Sequence, residues 1–301
     1  MAISDNLRGS ALMMAAMVAF TINDSCMKAV TADLPIFQAT AMRGALTVAA
    51  LIVIGRMSGA LRWPQRRADL CWMVARMFGE VTATLTFLIA LKHMPLANLS
   101  AVMQFLPLAV TLTAAAILRE RVGWRRMSAI AVGFLGVMLI VRPGTDGFDH
   151  WSVLGLLSVA CVVIRDLSTR RISAAVTSVT VAVSAALSVA VSAAAMLPFT
   201  ELVMPTARHS LLIAGAAIFL VGGYLTVVMS MRVGDIAVVA PFRYTSLVAA
   251  ILLGWAVFGQ FPDQLTLVGS AIVVATGIYT FYRERRLALA VVRPVVPLAS
   301  D

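Results

Sequence analysis

Ten stretches of about twenty mainly apolar residues, separated by short breaks holding charges or prolines, run almost end to end through this 301-residue chain. A helix rising about 1.5 Å per residue needs roughly 20 residues to cross a hydrocarbon layer. No water reaches that layer, so the backbone must satisfy its own hydrogen bonds there, and segments of this length do so as helices. The breaks mark crossings at approximately 9–30, 36–55, 70–91, 96–118, 126–141, 151–169, 174–197, 210–231, 236–258 and 264–282. The expected fold is an all-α integral membrane protein. Arg8 before the first run resembles the start of a signal peptide, but Thr21-Ile22-Asn23-Asp24-Ser25 offers no small-residue cleavage site.

Composition removes the soluble alternatives. With 61% hydrophobic and 13% charged residues and a mean hydropathy of +0.94, the chain has about half the charge of an ordinary globular surface. That excludes a cytoplasmic enzyme, a secreted disulfide scaffold and a disordered regulator. Cys26, Cys71 and Cys161 are odd in number and scattered through apolar runs, which suggests packing rather than a disulfide framework or metal site. The net charge of +10 lies in short clusters between crossings, so topology explains it better than nucleic acid does.

Lys and Arg accumulate in cytoplasmic loops. One alternating set of connections holds sixteen of the 24, including Arg62, Arg66 and Arg67, Arg119, Arg121, Arg125 and Arg126, and Arg283, Arg285, Arg286 and Arg293. The other set holds Lys28, Lys92, Arg142 and Arg208, and four arginines lie inside crossings. Both termini are therefore expected in the cytoplasm, with 142–151 outside.

The chain also echoes itself. Ile22-Asn23-Asp24-Ser25-Cys26-Met27-Lys28 matches Ile164-Arg165-Asp166-Leu167-Ser168-Thr169-Arg170 in Ile, Asp and a terminal base at an offset of 142. The stretch Leu91-Lys92 to Leu118-Arg119-Glu120 runs parallel to Met231-Arg232 to Phe258-Gly259-Gln260 at an offset near 140. These echoes set 1–145 against 146–286, with 287–301 as a cytoplasmic tail. Five crossings per unit make the two units antiparallel, an inverted repeat with its substrate site expected near mid-membrane.

Several stretches carry a family resemblance: Ala90-Leu91-Lys92-His93-Met94-Pro95-Leu96-Ala97-Asn98-Leu99, Phe105-Leu106-Pro107-Leu108, Leu118-Arg119-Glu120-Arg121 and Gly133-Phe134-Leu135-Gly136-Val137. This resembles the EamA type of the drug/metabolite transporter superfamily, whose pattern has a proline opening the fourth helix, a mid-helix proline, a terminal glutamate and a glycine-bearing fifth helix. The chain departs from it at Gln260, where the family usually has a second glutamate. The resemblance implies ten helices in two five-helix repeats and a secondary carrier of small organic metabolites.

No nucleotide-binding or zinc-protease motif is present, and His93, His150 and His209 stand far apart at expected outer helix ends, where they read as solvated interfacial residues. No cofactor or metal is implied. Function must then rest on the seven ionisable residues within crossings, each costing about 2.5 to 3.5 kcal/mol at the bilayer centre. Arg76 and Glu80 share a helix face and can pair, either structurally or as a substrate or proton site. Arg43 has no acid on its own helix. Arg165 and Asp166 point about 100° apart, so they cannot both line one wall. Arg165 and Asp24 can also snorkel to opposite interfaces. Arg243, flanked by Phe242 and Tyr244, suits a planar or carboxylate ligand.

The candidates for substrate binding are Arg43, Arg76, Arg243, Tyr244 and Gln104. Glu80, Asp24, Asp166 and Arg165 are the candidates for proton coupling or ion pairing. Four deep arginines against three acids favour a substrate with an acidic group. Ser173–Ala195, rich in small residues, reads as a packing face, Met13, Met14, Met17, Met103 and Met229 as core filler, and Pro107 and Gly222-Gly223 as hinges or breaks. The expected partners are a small-molecule metabolite and the lipid bilayer, with no nucleic acid, as a monomer or homodimer in the bacterial inner membrane. A scaffold or sensor with structural charges is the alternative, and an intramembrane enzyme lacks a nucleophile and base.

Overall fold

The computed structural model describes residues 3–59, 61–117, 123–143 and 150–292. Residues 118–122, 144–149 and 293–301 lie outside them, so Glu120, part of the resemblance, most of the connection 142–151 expected outside and most of the tail are not described. The helices are α1 (Ile3–Asp33), α2 (Ile36–Met57), α3 (Arg67–His93), α4 (Leu96–Met103), α5 (Leu106–Ile117), α6 (Trp124–Val141), α7 (Trp151–Arg171), α8 (Ser178–Ala195), α9 (Ala207–Val233), α10 (Ile236–Val239), α11 (Thr245–Phe258) and α12 (Gln264–Val292). They make ten membrane-length crossings among the described residues, the fourth from α4 and α5 and the ninth ending in α11. Large apolar side chains such as Phe78, Leu135, Ile218 and Trp255 point outward. In water that would be a liability, but here it is the lipid-facing coat.

Several helices outrun their apolar cores. α1 starts at Ile3 and α9 runs from Ala207 to Val233, so Lys28, counted among the connections, lies inside α1. It is buried, and its ammonium donates to the carbonyls of Leu91 at 2.7 Å and Met94 at 2.5 Å, filling acceptors that the end of α3 leaves open. The seventh crossing begins four residues later than expected, because Thr177 caps α8 by accepting from the Thr180 N–H.

The fourth crossing breaks at Gln104-Phe105, just ahead of Pro107, because a proline has no N–H to give the Met103 carbonyl one turn back and fits in the first turn of α5 instead. The ninth crossing breaks too, at a 3-10 turn over Ala240–Tyr244 containing Pro241, which sequence reading did not anticipate. Gly222-Gly223, expected as a hinge, lies inside continuous α9. A Cβ on Gly223 would lie 2.6 Å from the Phe20 ring, so this glycine makes room for α1. The methionines divide: Met13 and Met17 are core residues, while Met14 and Met229 face outward. Of the cysteines only Cys161 is buried, and Cys71 is exposed rather than packed.

The two halves interlock by exchange. α1 packs on α9 as α7 packs on α3, and α2 on α8, α4 on α11 and α6 on α12 complete the set. The start of α4 at Leu96 and that of α10 at Ile236 are 140 residues apart, as are Gln104 and Tyr244 at the two breaks. The same offset links two clasps at opposite faces. Asp69 accepts from the Ser173 N–H at 2.9 Å and hydroxyl at 2.8 Å, while His209 meets Asp33 at 3.2 Å. His209 is thus a buried cap rather than a solvated residue, as its Nδ1 also accepts from the Thr206 N–H. Small residues permit the inter-half contacts, because association in lipid relies on close packing. Gly44 lies so near Ala190 of α8 that an added Cβ would come within 2.7 Å.

Candidate functional site

Two adjoining lobes of about 190 and about 400 Å³ lie between the helices, the larger one beside the breaks in the fourth and ninth crossings. Asn23, Asp24, Phe87, Met103, Val162, Arg165, Leu220 and Tyr224 line both, so the lobes form one cavity. The smaller lobe adds Arg43, Thr47, Glu80, Ser158 and the small side chains Ala182, Ala185 and Ala186 of α8. The larger adds Met17, Phe20, Gln104, Arg243 and Ser246.

Glu80 lies at the middle of α3 between two guanidiniums, Arg76 at 3.3 Å and Arg165 at 3.6 Å. The Arg76–Glu80 pair anticipated from the i, i+4 spacing is formed. Arg76 turns away from the cavity to the terminal end of α7, donating to the Thr169 hydroxyl at 3.0 Å. Arg165 does not snorkel. It faces the cavity and is shared between Glu80 and Asp166, donating to the latter at 2.9 Å. Asp166 itself lines neither lobe.

Asp24 does not escape to the surface either, because its carboxylate lines both lobes. Asn23 donates to it at 2.9 Å and accepts from Arg43 at 3.2 Å. The Arg43 Nε is buried without a hydrogen-bond partner. Gln104 donates to the Ser246 hydroxyl at 2.6 Å, and Ser246 in turn donates to the Arg243 carbonyl at 3.0 Å, which ties the two helix breaks together.

Arg243 and Tyr244, adjacent in sequence, part company. Arg243 reaches the larger lobe and makes no hydrogen bond or ion pair with a described side chain. Tyr244 turns instead against α12, where only a glycine fits, since a Cβ on Gly277 would overlap the phenol oxygen. The tighter winding of the 3-10 turn, about 120° per residue, separates the two directions.

Sequence reading missed Tyr224, which lines both lobes and meets Phe20 edge-on at 5.4 Å and 74°. Its signal was the adjacent Gly222-Gly223 pair, since the gap at Gly223 lets Phe20 approach. Asn23 was overlooked as a neutral residue beside Asp24. His93 and His150, apart in sequence, both meet Trp151, the former stacked at 3.9 Å, and lie away from the cavity.

Residues 7–142 match the EamA-like transporter family. The first half of the chain is thus of the EamA type, in the drug/metabolite transporter superfamily. The chain is 27% identical over 278 residues to a riboflavin transporter of Vibrio cholerae, covering 89% of this chain and 91% of that one. It is likewise 27% identical over 284 residues to a pseudopaline exporter of Pseudomonas aeruginosa, covering 91% and 96%. An S-adenosylmethionine uptake transporter of Rickettsia conorii shares 24% over 196 residues, 64% of this chain and 65% of its own. A solved crystal structure superposes with a TM-score of 0.65 at 24% identity, covering 94% of this chain and 99% of its own, which shows the fold. The protein is a multi-pass membrane transporter of small metabolites.

Proposed function

We propose that this EamA-type protein carries a small organic metabolite with at least one acidic group across the bacterial inner membrane by alternating access. The cavity at the interface of its two repeats, 1–145 and 146–286, is the substrate site, and both termini and the tail 287–301 are cytoplasmic. The carrying observation is that Arg43 and Arg243 face the cavity with no carboxylate within the 4.0 Å of an ion pair, whereas Arg76 and Arg165 share Glu80. Buried guanidiniums with no carboxylate in ion-pair contact are costly, and their forked donors suit a ligand carboxylate. Phe20, Phe87 and Tyr224 offer aromatic surface to the rest of the molecule. Glu80 is occupied by two arginines, so Asp24 is the acid available for proton exchange.

The test is reconstitution of the purified protein in proteoliposomes and uptake of labelled amino acids, organic acids and carboxylated vitamins. Uptake of at least one acid, lost when Val189→Trp fills the smaller lobe, is the expected result. If lipophilic cations bind and compete while none of the acids bind or move, the charge argument is wrong.

A further inference from the structure

We propose that a furrow between α6 and α12, at the arginine-rich face expected in the cytoplasm, binds an anionic glycerophospholipid with its phosphate at Arg125 and an acyl chain along the groove. The furrow encloses about 430 Å³ and shares no lining residue with the central cavity. Small side chains leave the gap, Ser128 and Ala129 on α6 and Ala275 and Thr276 on α12, while Trp124 and Tyr279 stand exposed on its two sides. The helices run antiparallel, with Gly133 against Thr276 and Gly136 against Gly269. That register sets Arg125 level with Arg283, which lies one turn past Tyr279 on the same side of α12.

Arg125 is exposed, stacks over the Trp124 ring at 5.3 Å and takes part in none of the ion pairs among the described residues. Its charge is therefore free for an anion. Tryptophan and tyrosine favour the headgroup level of a bilayer, and basic pockets between helices at the cytoplasmic side take anionic headgroups. Below the arginine the groove turns apolar toward Val132, as an acyl chain requires. The opposite end of the same helix pair lacks these features. A shift of 140 residues turns Trp124, Arg125 and Tyr279 into Gln264, Leu265 and Leu139, and the arginine at that end, Arg142, is already bound to Asp263. Packing of α6 on α12 thus does not itself demand the aromatic and basic set. A second copy of the chain fits worse, because a two-fold contact here brings Arg125 and Arg283 against their own counterparts.

The experiment follows tryptophan fluorescence of the purified full-length protein in phosphatidylcholine nanodiscs as brominated phosphatidylglycerol or brominated phosphatidylcholine, both quenchers, replaces part of the lipid. The Trp124 signal is the difference between each protein and its Trp124→Phe counterpart. Brominated phosphatidylglycerol should half-quench it at about fivefold lower mole fraction than brominated phosphatidylcholine, which is what about 1 kcal/mol per arginine near the surface amounts to. Arg125→Gln should bring the two lipids level. Arg56→Gln, which removes an exposed arginine elsewhere on the same expected face, should leave the preference in place. Ala275→Phe fills the furrow and should weaken quenching by both lipids, and it covers the case in which the arginine variant does not fold. The proposal is overturned if the two lipids quench wild-type Trp124 alike, if Arg125→Gln keeps the preference, or if Arg56→Gln loses it equally, since general surface charge is then enough. It also fails if Ala275→Phe changes nothing, or if neither lipid reaches Trp124, because protein rather than lipid then covers the furrow.

Discussion

Asp69 holds Ser173 through both of its carboxylate oxygens, joining the start of α3 to the connection after α7. Shifting each position by 140 residues gives the Asp33–His209 contact at the opposite face. If these clasps are equivalent parts of an inverted repeat, Asp69→Ala and His209→Ala each lower the unfolding temperature of the purified protein. Each should also raise the accessibility of a cysteine placed in the cavity, from opposite sides of the membrane. Equal labelling from both sides in both variants counts against the symmetry.

The arrangement around Glu80 predicts unequal costs. Glu80→Leu leaves Arg76 and Arg165 facing each other and should destabilise by about 3–5 kcal/mol, the scale for breaking a buried pair. Arg76→Met leaves Glu80 with Arg165 at 3.6 Å and should cost less. The double variant should fold better than Glu80→Leu alone. If it also transports fully, Glu80 does not carry the proton. Thermal unfolding and proteoliposome uptake measure both effects.

Gly277→Ala should destabilise by about 1–3 kcal/mol, the range for overpacking, because Tyr244 occupies the space a methyl group needs. Tyr244→Leu in the same chain should recover part of that loss. Were the glycine there only for flexibility, the second substitution would not help.

Topology is tested with cysteines at Gln65 and Glu201, both exposed between crossings, in a background with Cys26, Cys71 and Cys161 replaced. An impermeant maleimide added outside whole cells should label the Glu201 variant and spare the Gln65 variant. Reaction at Gln65 from outside would reverse the assignment of the faces.

Asp263, between α11 and α12, bonds to Arg142 and accepts from the Thr266 N–H at 2.8 Å. Partial burial alone would raise its carboxyl, but these hydrogen bonds and the arginine's charge hold it below the ordinary carboxylate range. A depressed folded-state value means its contribution is present above the unfolded value, 3.8, and is lost as pH falls through the folded one. Asp263→Asn should therefore lower stability at pH 7, and the difference from wild type should shrink only below that range. Unfolding curves followed from pH 7 down to about pH 2, below the unfolded carboxyl's titration, measure this.

The crossings were legible because lipid imposes a length and a composition on each one. The Arg76–Glu80 pair was legible because four residues span one helical turn. The bridge through Asn23 was not, since it depends on Arg43 from another helix, and a neutral amide beside Asp24 gives no sign of what it separates. Nor was the divergence of Arg243 and Tyr244, which follows from local winding and the gap at Gly277. Pro107 announced its break, whereas Gly222-Gly223 suggested one that the chain does not make. A glycine step can admit a neighbour's ring as readily as it can bend a helix, and only the neighbour decides.

The 3-10 turn over Ala240–Tyr244 is also a length of helix held in reserve. Each residue wound this way rises about 0.5 Å more, and turns about 20° further, than in an α-helix. Rewinding all five would draw α11 inward by about 2.5 Å and rotate it about 100°, like a screw taken up by part of a thread. Arg243 rides on that thread, so a small change in pitch would carry its guanidinium from one wall of the cavity toward another without any helix having to tilt.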